Sequence, residues 1–244
     1  MRSALEHSHS KIAIHDRLAQ GPHNNYLRDW IFGGIDGAVT TFAIVAGVVG
    51  AHLSASIVFI LGLASVLADG FAMAAANYSG TKAERDDYER VLSIERRHIA
   101  LEPEGEREEV RQIFAAKGFV GADLERVVDV ICADPARWIR TMATEEYGLS
   151  PQQRSPLWAA LNTFTAFILC GCVPLVTYLS TASFFACMLG TGATFFTVGA
   201  VKSRWAAAGW ARSGAETFLI GMGAAALAFA VGFSLRALIK FPVV

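Results

Sequence analysis

A single carboxylate interrupts a long apolar stretch near the start of the chain. Asp36 lies between the apolar residues 30–35 and the uncharged residues 37–50. A charged side chain in the hydrocarbon core of a bilayer costs several kcal/mol, so such residues usually face the interior of a helix bundle or an ion path. Asp36 is therefore the first candidate functional residue, and the chemistry it predicts is the binding of an ion or a proton.

A second group of candidate residues lies in the polar segment 82–154. Seven side chains there occur at helical spacing: Glu95, His98, Glu102, Glu106, Glu109, Met142 and Glu146. The first three share one helix face at i, i+3 and i+7, the next two lie at i, i+3 and the last two at i, i+4. Carboxylate, imidazole and thioether groups are all ligands of divalent metals. Taken alone, however, each such pair is more often part of a solvated charged face.

The composition predicts a membrane protein with one soluble piece. Hydrophobic residues make up 53% of the 244 positions, and the charged residues, 18% of the chain, crowd into residues 82–154. The formal net charge of -1 leaves no basic face large enough to neutralise a phosphate backbone. Nucleic acid is therefore excluded as a partner.

The first 25 residues are polar and hold four of the six histidines: His7, His9, His15 and His23. They lack the continuous apolar core of a signal peptide. A histidine cluster could bind metal, but polar chain termini are usually flexible, and we expect a cytosolic tail here.

Five apolar stretches are long enough to cross a bilayer, which takes about 20 helical residues. They are predicted near residues 30–51, 54–79, 156–179, 182–203 and 213–237. The expected fold is an all-α, polytopic membrane protein with five transmembrane helices and a helical insert between the second and third. The chain then divides into a tail, a first pair of spans, the insert and three further spans, over residues 1–27, 28–80, 81–154 and 155–244.

The insert has its apolar residues at helical rather than alternating spacing, and three helices are expected in it. The first continues out of the second span through residues 81–101. The second covers 104–117, with Pro103 in its first turn and Gly118 at its end. The third covers 122–147 and is interrupted at Asp134-Pro135, because the residue before a proline disfavours the helical conformation.

Loop charges predict the orientation. One side collects the basic residues of the insert together with Arg17, Arg28, Lys202, Arg204 and Arg212, whereas the loops at 51–54 and 179–183 contain no Lys or Arg. The positive-inside rule then places the tail and the insert in the cytoplasm. Arg236 and Lys240, near the far end, run against the rule.

Three motifs together resemble the vacuolar iron transporter family over residues 28–240. They are DGAVTTFAIVAGV at 36–48, ADGFAMAAANY at 68–78 and AALNTFTAFILCGCVPL at 159–175. The resemblance is to a prokaryotic-type member without the N-terminal ferritin-like domain, because fewer than 30 residues precede the first span. No di-iron oxidase chemistry is therefore expected.

The resemblance implies a homodimer that exports ferrous iron, and with it manganese, zinc or cobalt, from the cytoplasm in exchange for protons. The path would run between the first spans of the two subunits, which Gly33, Gly34, Gly37 and Gly47 would allow to approach closely. Asp36 matches the family's membrane carboxylate and Met73 its thioether. Met73 by itself would be assigned to core packing. Asp69, one turn before it, could join the path or pair with a basic group.

The resemblance also implies a metal centre in the cytoplasmic insert, to which each of three helices contributes two ligands. They carry over onto Glu95, His98, Glu106, Glu109, Met142 and Glu146. His98 stands where plant members have Glu, which keeps a ligand but removes a charge, and Glu102 is the alternative ligand. Imidazole binding would fall away below about pH 6.5.

Three classes of function can be compared. A metal transporter uses both groups of residues, with divalent metal ions, protons, a second copy of the chain and the lipid bilayer as partners. A membrane-anchored metal buffer or sensor leaves Asp36 and Met73 without a role. An enzyme is disfavoured because the spans contain no embedded histidine pair and no nucleophile with a base. The membrane would be the plasma membrane in a prokaryote and the vacuolar membrane in a eukaryote.

Overall fold

The computed structural model describes residues 8–20, 24–205 and 208–238. These residues form nine α-helices and a 3₁₀ turn at Ser203–Trp205, with no strand among them. The helices are α1 Lys11–Gln20, α2 Leu27–Gly50, α3 Ala55–Leu101, α4 Pro103–Ala116, α5 Gly121–Cys132, α6 Pro135–Glu145, α7 Pro156–Thr181, α8 Phe184–Lys202 and α9 Trp210–Leu238. His7, His23 and Lys240, which entered the sequence predictions, lie outside the described residues.

Five of the described helices, α2, α3, α7, α8 and α9, are long and apolar enough to cross a membrane. This confirms the five predicted spans. The chain forms two compact units, which we call the membrane unit, residues 26–81 and 155 onward, and the insert unit, residues 82–154 with the described part of 1–25.

Helix α2 lies at the centre of the membrane unit, where it packs on α7, α8 and α9. Where α2 contacts α7, glycines on α2 let the two backbones approach each other closely. A Cβ atom added to Gly33 would lie 2.2 Å from the Thr163 carbonyl oxygen, and one added to Gly37 would lie 2.4 Å from that of Phe167. Only residues without a side chain fit at such distances.

These glycines correct one expectation. Gly33, Gly34 and Gly37 are buried against α7 and α8 of the same chain, so the prediction that they clear space for a second subunit is wrong for these three. Gly47 has open space around its Cα and remains compatible with that role.

The insert unit contains the final part of α3 and three further helices. Helix α6 starts at the predicted interruption, where the Asp134 side chain accepts a hydrogen bond from the Ala136 backbone N–H at 3.0 Å. This cap and Pro135 in the first turn make α5 and α6 separate helices rather than one broken helix. The insert core that they form with α4 consists of Val110, Val128, Ile131, Trp138 and Met142.

The N-terminal segment differs from the flexible tail that its polarity predicts, because residues 11–20 form α1. Ser10 caps this helix, its side-chain oxygen accepting the Ala13 N–H at 3.3 Å. His9 and His15 are both exposed, and His15 has Asp16 as a neighbour at 3.5 Å.

Candidate functional site

Asp36 lies on the face of α2 that the other spans leave open. Its side chain is exposed, as is that of Phe32 one turn earlier, whereas Gly33 and Gly37 are buried. The carboxylate of Asp69 on α3 is close enough for its charge to act on Asp36. The structure therefore brings together the two acids of the first and second spans.

Asp69 belongs to a polar stripe along α3. Five residues share it at four-residue intervals: Ser65, Asp69, Met73, Asn77 and Thr81. The Ser65 hydroxyl donates to Asp69 Oδ2, and the Thr81 hydroxyl donates to Asn77 Oδ1 at 3.4 Å. Met73 is half-buried between these polar groups. Of these five residues, only Asp69 and Met73 were predicted from the sequence as candidates.

Asn77 is a functional candidate that the sequence analysis missed. Its amide nitrogen donates to Asp29 Oδ1 at 2.9 Å and to Thr163 Oγ1 at 2.7 Å, and lies 3.3 Å from the Ala159 carbonyl oxygen. Asp29 and Thr163 are both buried. One amide thus ties α2, α3 and α7 together one turn from Met73. Two spacings in the sequence point to these residues. Asp29 precedes Asp36 by two helical turns, and Asn77 follows Met73 by one helical turn.

In the insert unit, His98 stands between two buried carboxylates. Glu95 is 0% exposed and Glu106 is 5% exposed. His98 Nδ1 lies 3.2 Å from Glu106 Oε1 and 3.9 Å from Glu95 Oε1. Glu95 Oε1 also accepts a hydrogen bond from the Tyr147 hydroxyl at 3.1 Å.

The remaining acids act on this pair through their charges. The pKa of Glu106 is raised to about 7, chiefly by burial. The further causes are the charges of Glu95 and Glu109, a hydrogen bond to Glu95 and the charge of Glu146. Burial and the charges of Glu95 and Glu109 raise the pKa of Glu146 as well, against the opposite effect of His98. Five of the seven predicted side chains of the insert therefore lie within reach of one another.

The other two predicted residues lie elsewhere. Met142 is completely buried in the insert core, in one cluster with Val110 and Trp138. Glu102 is exposed at the N-cap of α4 and makes no capping hydrogen bond. Its charge is not among those that chiefly raise the pKa of Glu106.

The buried carboxylates are incompletely satisfied. In the ionised form, Glu95 Oε2 and Glu106 Oε2 are buried without a hydrogen-bond donor among the described residues. A bound cation would relieve the cost of such oxygens, which is about 1–3 kcal/mol or more for each charged group. In the part of the chain that the structure describes, no three His, Cys, Asp or Glu side chains are yet arranged to hold a metal ion. Binding would therefore require the exposed Glu109 and Glu146 to move inward.

The profile of the VIT family matches residues 27–233, from α2 into α9. The vacuolar iron transporter 1 of Arabidopsis thaliana is 33% identical over 233 residues, which cover 93% of each chain. That of Oryza sativa subsp. japonica is 31% identical over 93% of this chain and 90% of its own. The vacuolar iron transporter of Toxoplasma gondii is 37% identical over 159 residues, 64% of this chain and 53% of the parasite protein.

Proposed function

Because the chain belongs to the VIT family, we propose that it is a multi-pass membrane transporter whose cargo is ferrous iron. Its relatives in Arabidopsis thaliana and Toxoplasma gondii are named vacuolar iron transporters. The observation that carries the proposal is the pair of interacting carboxylates, Asp36 and Asp69, on two apolar spans. A divalent cation neutralises such a pair, which hydrocarbon does not accommodate in its charged form.

Exchange follows from the chemistry of the same pair. A carboxylate binds a divalent cation or a proton, but it does not hold both well, so release of metal on one side leaves the pair ready for protons. Met73, on the same stripe of α3 as Asp69, adds a soft thioether that favours a transition metal over magnesium or calcium. We therefore propose metal export from the cytoplasm coupled to proton import. Manganese, zinc and cobalt are further cargo candidates because the same ligand types bind them.

A second copy of the chain would complete this path. One subunit offers one Asp36, one Asp69 and one Met73, whereas divalent ions take about four to six ligands. Asp36 is exposed on an uncovered face of α2, and a carboxylate facing lipid is costly. A twofold axis along that face would bring two Asp36 and two Met73 side chains toward each other.

The insert unit supplies the proposed metal centre on the cytoplasmic side that the loop charges predict. Its ligands would be Glu95, His98, Glu106, Glu109, Met142 and Glu146, with Glu102 at the N-cap of α4 as the alternative to His98. Support comes from the buried oxygens of Glu95 and Glu106 that lack a donor when ionised. All ligands of this centre would come from one chain. Binding there would raise the local concentration of the metal when the metal is scarce.

The same buried oxygens favour a second candidate function, a membrane-anchored metal buffer or sensor that does not transport. Purified protein in liposomes that contain an iron-quenched dye separates the two. Transport predicts that external ferrous iron quenches the dye at a rate proportional to the amount of protein, and that it does so faster with a pH gradient of the right sign. Binding of iron to the protein without quenching would leave the buffer as the function.

A further inference from the structure

Tyr147 is a neighbour of the proposed metal centre that no ligand prediction includes. It follows Glu146 directly in the chain, but its hydroxyl donates to a different acid, Glu95 on α3, at 3.1 Å. Tyr147 is itself 39% exposed, and its phenol O–H donates to the buried carboxylate of Glu95. The contact therefore joins the end of α6 to a predicted ligand on α3.

This hydrogen bond makes the two oxygens of Glu95 unequal. Oε1 accepts from Tyr147, whereas Oε2 is buried and has no donor among the described residues when the carboxylate is ionised. When one oxygen of a carboxylate already accepts a hydrogen bond, the carboxylate binds a metal more readily through its other oxygen alone than through both oxygens.

The chain reversal after α6 fixes where Tyr147 stands. Gly148 has a left-handed backbone with φ of +66°, and the Leu149 N–H donates to the Ala143 carbonyl oxygen at 3.0 Å. Leu149 packs against Tyr88, Val91 and Ala143. A helix that ends on a left-handed glycine, with a hydrophobic contact just beyond it, holds its last residues in one conformation.

We propose that Tyr147 is a positioning and specificity-determining residue of the insert: it holds Glu95 so that one oxygen, Oε2, is presented to the metal. This inference rests on the proposed metal centre. One-oxygen binding suits small transition-metal ions, whereas calcium takes six to eight oxygens and accepts carboxylates through both. Loss of the tyrosine hydroxyl would free Oε1 and so favour calcium relative to iron-like ions.

The test compares Co²⁺ and Ca²⁺ binding to purified full-length protein by calorimetry. An Asp36→Asn background removes the membrane carboxylate from the measurement. Tyr147→Phe keeps the ring and deletes the hydroxyl, and we expect it to raise the dissociation constant for Co²⁺ about tenfold, as is usual for groups that orient a metal ligand. The dissociation constant for Ca²⁺ should stay the same or fall. Tyr88→Phe is the matched control, because it deletes a hydroxyl from the neighbouring core of the same unit, and it should leave both constants unchanged.

A second variant keeps the proposal testable if Tyr147→Phe does not fold. Gly148→Ala keeps the tyrosine hydroxyl but strains the left-handed backbone that positions it, and no atom lies within 4 Å of the added Cβ. It should lower the Co²⁺ preference in the same direction and by less. Glu95→Gln is measured alongside as the test of the metal centre itself.

The outcomes separate the inference from the function on which it rests. A fall in the preference for Co²⁺ over Ca²⁺ in Tyr147→Phe, with Tyr88→Phe unchanged, supports the inference. Unchanged Co²⁺ binding in Tyr147→Phe, or an equal loss of both metals, overturns it if Glu95→Gln still weakens Co²⁺ binding, and the metal centre survives. If Glu95→Gln has no effect, the proposed metal centre fails and the inference fails with it.

Discussion

The molecule holds two pairs of carboxylates in opposite circumstances. In the membrane unit, Asp36 is exposed on α2 and interacts with the charge of Asp69. In the insert unit, Glu95 and Glu106 are buried, with His98 within 4 Å of both. In the proposed dimer, a second chain would cover the exposed pair, whereas the buried pair lies wholly within one chain. If the proposed function is correct, changes to the open pair, Asp36 and Asp69, should alter metal passage and subunit contact. Changes to the enclosed pair, Glu95 and Glu106, should alter metal affinity.

The largest expected effect belongs to the open pair. Asp36→Asn should abolish iron flux into liposomes, because the amide is nearly isosteric with the carboxylate but cannot trade a proton for a cation. Folding and size on gel filtration should match the wild type. Glu84→Gln, an exposed acid on α3, is the control and should transport normally. If Asp36→Asn transported iron at the wild-type rate, the open pair would have no special role in passage, and the distinction between the two pairs would fail.

The next prediction concerns what covers the open pair. In a chain whose four free cysteines have been replaced, Val39→Cys or Thr40→Cys should crosslink two subunits in the membrane. Both positions are half-buried beside Asp36. Val45→Cys is the matched control, since Val45 is completely buried within its own chain and should not crosslink. Failure of every position from 33 to 44 in protein that still transports would place the whole path within one chain.

A smaller effect is expected from the enclosed pair. Glu106→Gln combined with Glu109→Gln removes two anionic oxygen ligands, so the full-length protein should bind Co²⁺ about tenfold more weakly. Iron flux should fall when metal is scarce and recover when it is abundant. Glu104→Gln with Glu108→Gln, two exposed acids of the same helix, provides the control pair. Equal affinity in the two double variants would return Glu106 and Glu109 to the role of a charged surface.

The smallest effect is a pH dependence of stability. An unfolded glutamate ionises near its ordinary pKa of 4.5, whereas Glu106 in the folded protein has a pKa of about 7. The folded state therefore binds more protons between these values, and its free energy of unfolding falls as pH rises through that window. Metal-free wild type should lose several degrees of melting temperature between pH 5 and pH 8, and Glu106→Gln should lose fewer. Identical slopes would mean that Glu106 is not buried as a carboxylic acid.

The parts predictable from sequence are those set by local pattern. Five runs of about 20 apolar residues give five spans, and Asp134-Pro135 marks the start of α6. The i, i+3 spacing places Glu95 and His98 on one face of their helix, and it does the same for Glu106 and Glu109 on theirs. That the members of each pair share a face could therefore be predicted without a structure.

What could not be predicted depends on contacts between distant elements. Gly33 and Gly37 face α7 rather than a partner, because the hand and register of helix packing decide which side of α2 is covered. The donation from Asn77 to Asp29 and that from Tyr147 to Glu95 join residues 48 and 52 positions apart. No spacing rule within one helix reports such pairs.

We expect one carboxylate pair in the membrane, Asp36 and Asp69, to trade a divalent metal for protons. The most direct measurement records iron and proton movement together, with an iron-quenched dye and a pH dye in the same liposomes. We predict that added ferrous iron enters while protons leave, and that Asp36→Asn abolishes both signals. Iron entry in the wild type with no opposing proton movement would contradict the exchange, and proton movement that persists in Asp36→Asn would contradict the assignment to this pair.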